Sequence, residues 1–114
     1  MVAKPMTLTT ELLQDGATWT LKIIGFVNAT TSYMMWYTDS SHSLLKQLAE
    51  AQAGTLVIDL SEAEGIDSYG LRLLIDAQKE FSAKSIQIIL RQPNTHLSRL
   101  FRIMQFDRLF TVEL

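Results

Sequence analysis

One short segment of the chain, Ser61–Leu71, concentrates side chains that could do chemistry: two glutamates, an aspartate, two serines and a tyrosine. Asp67 and Ser68 directly precede a run with helical spacing, so either side chain can cap that helix by accepting a free backbone N–H of its first turn. A serine there can also carry a phosphate, because the unpaired N–H groups and the helix dipole stabilise added negative charge. Spacing alone favours simple helix capping and leaves a regulatory phosphoacceptor as the alternative.

Other residue types that perform catalysis or bind metals are sparse. His42 and His96 are the only histidines, and neither has an acidic partner at metal-ligand spacing. Gly65 and Gly70 flank a turn but match neither the phosphate-binding loop nor the dinucleotide fingerprint. The absence of cysteine excludes a thiolate nucleophile and a disulfide. These observations predict a protein that is not an enzyme, with no catalytic residue, no metal site and no cofactor.

Composition sets broad limits on the class of protein. The chain has 114 residues, of which 47% are hydrophobic and 19% charged, which predicts one globular domain over residues 1–114 with a continuous core. The net charge of −2 provides no basic face, so nucleic acid is not an expected partner. Met1–Pro5 lacks the apolar run of a signal peptide, and no stretch is apolar for long enough to cross a membrane. We therefore expect a soluble, cytoplasmic protein without membrane insertion.

The beginning of the chain predicts a β-hairpin. Leu8–Leu13 is rich in Thr and Leu, and Trp19–Ile24 alternates apolar with polar residues, which is the period of a half-buried strand. Asp15-Gly16 between them is a two-residue turn signal. Gly25 is expected to end the second strand.

The rest of the chain alternates predicted helices with short apolar strands. Glu62 and Glu64 are expected in a loop after the third strand, and Pro93-Asn94-Thr95 stops the fourth strand and opens a helix. The further strands are Thr55–Leu60, Ile86–Leu90 and Leu109–Val112, and the helices are the second half of Ala29–Gln52, Ser68–Ser82 and Leu97–Met104. The order is therefore β-β-α-β-α-β-α-β. Because helical crossovers make the strands parallel, we expect an α/β fold with a mixed sheet of four to five strands and helices packed on it.

The stretch from Thr30 to Tyr37 is rich in aromatic residues, with two tyrosines, a tryptophan and two methionines in sequence. We predict a short helix that breaks near Asp39, followed by a helix that Ser40 or Ser41 caps. Core filling is the favoured interpretation of the aromatic cluster, and an exposed partner surface is the alternative.

Two runs in the middle of the chain resemble the signature of the STAS domain family. Thr55–Ser61 is an apolar strand that ends in Asp-Leu-Ser, and Ile66–Leu71 resembles the Asp-Ser-Ser-Gly-Leu run that opens a helix in that family. The likeness continues through the strand Ile86–Leu90, the helix Leu97–Met104 and the closing segment Phe106–Phe110. The resemblance implies a single STAS-like domain.

STAS domains that stand alone are typically anti-sigma factor antagonists, and the resemblance implies the same role here. Such a regulator binds an anti-sigma factor that is also a GHKL-type serine kinase, and thereby frees a sigma factor. By this resemblance the kinase phosphorylates Ser68, a PP2C-type phosphatase reverses the modification, and the partner contacts Asp67, Ser68, Tyr69, Gly70 and Asn28. Asp67 would orient the loop and the hydroxyl, and Gly70 would allow close approach by the partner. ATP and the catalytic base would belong to the kinase.

The sequence departs from the family pattern at three places. Tyr69 replaces the second serine of the motif and adds a bulky ring beside the acceptor. Gly25–Asn28 replaces the family's Gly-x-Leu-Asp, so Asn28 lacks the carboxylate. Ala29–Ser41 is longer and more aromatic than usual, which indicates a distinct partner or a homodimer.

Two other functions stay open. One is a constitutive STAS subunit of a larger complex, such as a lipid-transporting ATP-binding cassette system, in which Ser68 would make a permanent contact. The other is a small α/β enzyme or nucleotide-binding protein. The lack of a histidine-centred constellation, a nucleophilic cysteine and a phosphate loop disfavours it.

Overall fold

The first two strands of the computed structural model, β1 (Leu8–Asp15) and β2 (Thr18–Val27), form the predicted antiparallel hairpin. The structure describes residues 7–37 and 43–114 of the chain. Asp15 pairs with Thr18, so Gly16 and Ala17 form the connection, and Gly16 has a φ of +61°. Glycine adopts a positive φ without steric cost, and two-residue hairpin loops require one.

Three further strands complete a mixed five-stranded sheet: β3 (Thr55–Ile66), β4 (Gln87–Arg91) and β5 (Thr111–Glu113). The strands lie in the sheet in the order β1-β2-β3-β4-β5. The pairs β2/β3, β3/β4 and β4/β5 are parallel, and only β1/β2 is antiparallel. The predicted mixed α/β fold is therefore confirmed.

Helices connect the parallel strands: α1 (Tyr33–Trp36) and α2 (Leu44–Glu50), then α3 (Ser68–Ala83), then α4 (Thr95–Ile103) with a 3-10 turn at Phe106–Arg108. Their apolar sides and alternate strand residues form one buried cluster on one face of the sheet. Its fully buried members include Leu21, Ile58, Leu74, Phe81 and Leu90. No helix in the described ranges is long and apolar enough to span a membrane.

The two central strands are longer than predicted. The prediction that β2 ends at Gly25 is wrong, because β2 runs on to Val27 and β3 runs on past Leu60 to Ile66. Gly25 continues the strand at a φ of +108°, and a side chain there would collide with the carbonyl oxygen of Thr7. Only glycine fits this close approach of two backbones.

The predicted loop with Glu62 and Glu64 is also part of β3, and its pairing with β2 explains the error. Lys22 pairs with Asp59 but Ile24 pairs with Glu62, so β3 has one extra residue, and a second extra residue follows before Gly65. Such bulges interrupt the alternation of inward and outward side chains. The period-2 pattern on which the strand prediction depended is therefore lost after Leu60.

The opposite face of the sheet carries a row of alternating charges. Adjacent strands place Glu11 opposite Lys22, Lys22 opposite Asp59, Asp59 opposite Arg91, and Arg91 opposite Glu113. The Arg91 guanidinium donates a hydrogen bond to the Glu113 carboxylate at 3.0 Å. Opposite charges directly across paired strands support the register, whereas like charges would oppose it.

The residue that caps α2 differs from the prediction. Ser43, in place of Ser40 or Ser41, caps α2, because its hydroxyl accepts the Lys46 N–H at 3.1 Å. The predicted capping serines, the break near Asp39 and His42 lie outside the described residues.

The last strand is Thr111–Glu113 and not Leu109–Val112 as predicted. The 3-10 turn occupies the chain just before it, and Phe110 turns into the core. There the Phe106 ring stacks on Phe101 with centroids 5.1 Å apart and contacts Phe110 at 5.2 Å. Burial of this aromatic group takes precedence over strand propensity at this position.

Candidate functional site

The candidate site lies where β2 and β3 end and α3 begins. The carboxyl ends of parallel strands meet at one edge of a sheet, and the Asp67 N–H donates to the Val27 carbonyl across this edge at 2.9 Å. The structure thus brings Asn28, which follows β2, together with the segment Asp67–Gly70 after β3. The family resemblance predicted these residues as one surface. They lie together because β2 and β3 are neighbouring parallel strands that end at the same edge of the sheet.

Asp67 caps α3. Its backbone is extended (φ −82°, ψ 178°), and its carboxylate accepts the Gly70 N–H at 2.9 Å while its carbonyl accepts the Leu71 N–H at 2.9 Å. Of the two residues that the sequence offered as a cap, Asp67 performs this role. Ser68 is consequently the first residue of the helix, and its hydroxyl is not used for capping.

The Ser68 side chain is exposed to solvent. The Asp67 side chain accepts only the N–H of Gly70. Within the described residues, the backbone N–H groups of Ser68 and Tyr69 donate no hydrogen bond. Two free donors at the positive end of a helix stabilise an anion. A phosphate on this hydroxyl would therefore be accommodated without displacing a native hydrogen bond.

Gly70 is buried, and contacts within the chain already require glycine at this position. A Cβ at this position would lie 2.8 Å from a methyl carbon of Val27 and 2.8 Å from one of Ile66. Glycine is needed here because the first turn of α3 packs directly onto the ends of β2 and β3. Its neighbour Tyr69 points the other way, with half of its side chain exposed.

Asn28 organises the turn that leaves β2. Its side-chain oxygen accepts the N–H groups of Thr30 at 2.9 Å and Thr31 at 3.1 Å. Its own N–H donates to the Thr31 hydroxyl at 3.0 Å, and that hydroxyl donates to the Phe26 carbonyl at 2.9 Å. An amide oxygen supplies this Asx-type turn as a carboxylate would, so the departure from the family's acid leaves the turn intact.

The described part of the chain offers little metal-binding or electrostatic chemistry beyond the surface ion pairs. No group of three or more His, Cys, Asp or Glu residues there could hold a metal ion. The Glu62 carboxylate raises the pKa of Lys22, first through a hydrogen bond and then through its charge. This ion pair lies on the open face of the sheet and stabilises neither a nucleophile nor a general base.

A groove beside the site was not predicted as a unit. It has a volume of about 480 Å³ and lies between α1, the start of α2 and the exposed side of α3. Tyr33, Tyr37 and Tyr69 line it, and they are the three tyrosines of the whole chain. Core filling, the favoured interpretation of the aromatic cluster, holds for Met35, which is buried, but not for Tyr33 and Tyr37, which are exposed.

Solved structures similar to this chain include anti-sigma factor antagonists. One from Mycobacterium paratuberculosis has a TM-score of 0.73 and 19% identity, over 98% of this chain and 90% of its own. The phosphorylated Bacillus cell fate determinant SpoIIAA has a TM-score of 0.65 and 14% identity, over 95% and 92% of the two chains. The anti-sigma factor antagonist SpoIIAA in its unphosphorylated form has a TM-score of 0.66 and 14% identity, over 95% and 89%. At these identities the likeness shows a shared fold.

Comparison with curated protein sequences finds no match. The family model of the STAS domain matches residues 37–114, which is most of the chain and includes β3, the Asp67–Gly70 segment and α4. The five-stranded mixed sheet and its helices agree with the fold of the solved structures. The chain therefore belongs to the STAS domain family.

Proposed function

We propose that this protein is a partner-switching regulator of the anti-sigma factor antagonist type. In its unmodified form it binds an anti-sigma factor through the edge formed by Asp67, Ser68, Tyr69 and Asn28. The anti-sigma factor is also a GHKL-type serine kinase, which phosphorylates Ser68, and a PP2C-type phosphatase removes the phosphate. The observation that carries the proposal is the exposed Ser68 hydroxyl at the first residue of α3, beside two unused N–H groups.

Phosphorylation of Ser68 would change the surface and leave the fold intact. The phosphate adds nearly two negative charges at neutral pH, next to the Asp67 carboxylate that already caps the helix. A partner surface that fits a small neutral hydroxyl must then desolvate a dianion, which is costly without a matching cation. The modified chain is thus expected to release the partner. Its resemblance in fold to a protein solved in phosphorylated and unphosphorylated forms supports this cycle.

The test is phosphorylation by the GHKL-type kinases encoded in the same genome. The full chain is incubated with each kinase and ATP, and intact-mass spectrometry with peptide mapping locates the phosphate. We expect one phosphate, lost in Ser68→Ala and retained in the control Ser61→Ala, which removes another exposed serine. The phosphorylated protein should bind the kinase at least tenfold more weakly. A phosphate on another residue, or none with every cognate kinase, would refute the proposal.

A second candidate is a constitutive STAS subunit of a larger assembly, such as a lipid-transporting ATP-binding cassette complex. Tyr69 favours it, because a half-exposed ring beside the acceptor suits a permanent apolar contact and hinders access by a kinase. This function predicts co-purification with an ATPase subunit and no phosphate on Ser68. It also predicts that Tyr69→Ser and Ser68→Asp both weaken the assembly, since both change a permanent contact.

A further inference from the structure

The groove beside Ser68 has an unusual chemical lining. One side of α3 contributes Tyr69, Leu73, Asp76 and Glu80, which recur at the spacing of a single helix face. The other wall is aromatic, and the Trp36 ring contacts Phe81 at the base with centroids 6.1 Å apart. The groove thus joins a packed apolar base to an exposed rim of phenol rings and carboxylates.

The three tyrosine side chains of the groove are at least half exposed to solvent. Tyr33 is 62% exposed, Tyr37 53% and Tyr69 50%. All three tyrosines of the chain share this one surface. Concentrated exposed aromatic residues, rimmed by polar groups, are typical of protein interaction sites, where tyrosine is among the residues that contribute most to binding.

The described lining of the groove is acidic. Among the described residues that line it, Asp76 and Glu80 alone are charged, and neither forms an ion pair with another described residue. Asp76 and Glu80 are four residues apart, a spacing at which like charges on a helix repel each other slightly. An incoming cation would remove this repulsion and gain a charge-assisted hydrogen bond at the same time.

We propose that the groove binds an arginine- or lysine-bearing apolar segment of the protein partner that docks at Ser68. The cation would lie over the tyrosine faces, where cation–π attraction favours it, and within reach of the two carboxylates. The apolar part of the segment would cover Leu73 and the Trp36 ring. This inference rests on the proposed function, because it concerns the partner of that same surface.

The two carboxylates of the groove and the phosphoacceptor lie at separate places on α3. At about 1.5 Å of rise per residue, Asp76 lies roughly 12 Å and Glu80 roughly 18 Å along the helix from Ser68. Both separations exceed the Debye length of about 8 Å at physiological ionic strength. The groove therefore selects the partner through its aromatic rings and acids, while Ser68 controls whether the selected partner stays bound.

The experiment measures binding of the full chain to each GHKL-type kinase encoded in the same genome, by calorimetry at two salt concentrations. Charge reversal in Asp76→Lys should weaken binding at least tenfold and reduce its salt dependence. The matched control Asp107→Lys reverses an exposed acid outside the groove and should change affinity less than twofold. Circular dichroism melting of both variants confirms that they fold.

A second pair of variants tests the aromatic rim without changing charge. Tyr33→Ser, which removes an exposed ring of the groove outside the Asp67–Gly70 edge, should weaken kinase binding about tenfold. Leu13→Ser, which removes an exposed apolar residue from β1, should not.

The outcomes separate the two proposals. Normal binding by the groove variants Asp76→Lys and Tyr33→Ser, with binding lost on phosphorylation, overturns the groove inference alone. Weakened binding by the groove variants, with no phosphate on Ser68, leaves the groove in place and overturns the switch. Dimers of the wild-type chain that dissociate in Asp76→Lys would show that a second copy occupies the groove, which refutes the inference. Failure of every cognate kinase to bind overturns both.

Discussion

Replacement of Gly70 by alanine probes the contact that positions the candidate site. The new Cβ would lie 2.8 Å from methyl carbons of both Val27 and Ile66, whereas carbon atoms normally approach to about 3.5–4.0 Å. Overpacking of this kind costs about 1–3 kcal/mol, and the better helix propensity of alanine offsets up to about 1 kcal/mol. With the middle of the overpacking range, about 2 kcal/mol, less this offset, we expect Gly70→Ala to lower the free energy of unfolding by about 1–2 kcal/mol.

The matched control is Gly54→Ala. A Cβ at Gly54 has no neighbour within 4 Å, so the reduced entropy of the unfolded chain should raise the free energy of unfolding by about 0.4–1 kcal/mol. Urea unfolding followed by circular dichroism measures both variants. With an m-value of about 1–2 kcal/mol/M, the two urea midpoints should move in opposite directions. If Gly70→Ala is as stable as the wild type, the first turn of α3 does not pack onto the strand ends as described.

Two further changes test the capping residue and the surface ion pair. Asp67→Ala removes the cap of α3 and should cost about 1 kcal/mol in urea unfolding, whereas Asp67→Asn should keep most of the stability; equal losses would exclude capping as the cause. The pKa of Lys22 is raised above 10.5 by Glu62, so the stabilisation from this pair is present below pH 10.5 and disappears as the pH rises through the folded-state pKa. Glu62→Gln should return the Lys22 pKa toward 10.5 in an NMR titration, and an unchanged pKa would show that Glu62 is not its cause.

Local signals in the sequence predict most elements because they depend on neighbouring residues. The hairpin follows from alternation and a Gly-containing turn, and α4 follows from the Asn94 cap, whose side chain accepts the Leu97 N–H at 2.8 Å. The beginning of α3 at Ser68 was predicted in the same way. Each of these features is decided within about one helical turn or one turn of the hairpin.

Features that depend on distant contacts were not predicted. The extra residues of β3 that pair Ile24 with Glu62 appear in the sequence only as a broken pattern, which is also what a loop produces. The role of Gly70 is similar, because nothing near it in the chain shows that Val27 would occupy the space of its missing side chain.

The sequence by itself determined the α/β class, the family and the position of the candidate phosphoacceptor, since apolar periodicity and a short motif carry that information. Only the tertiary structure decided which residues share a surface. Tyr33 and Tyr69 are far apart in the chain and meet because α1 and α3 pack on the same face of the sheet. Periodicity states which side of each element is buried, whereas the grouping of exposed sides depends on how the elements pack together.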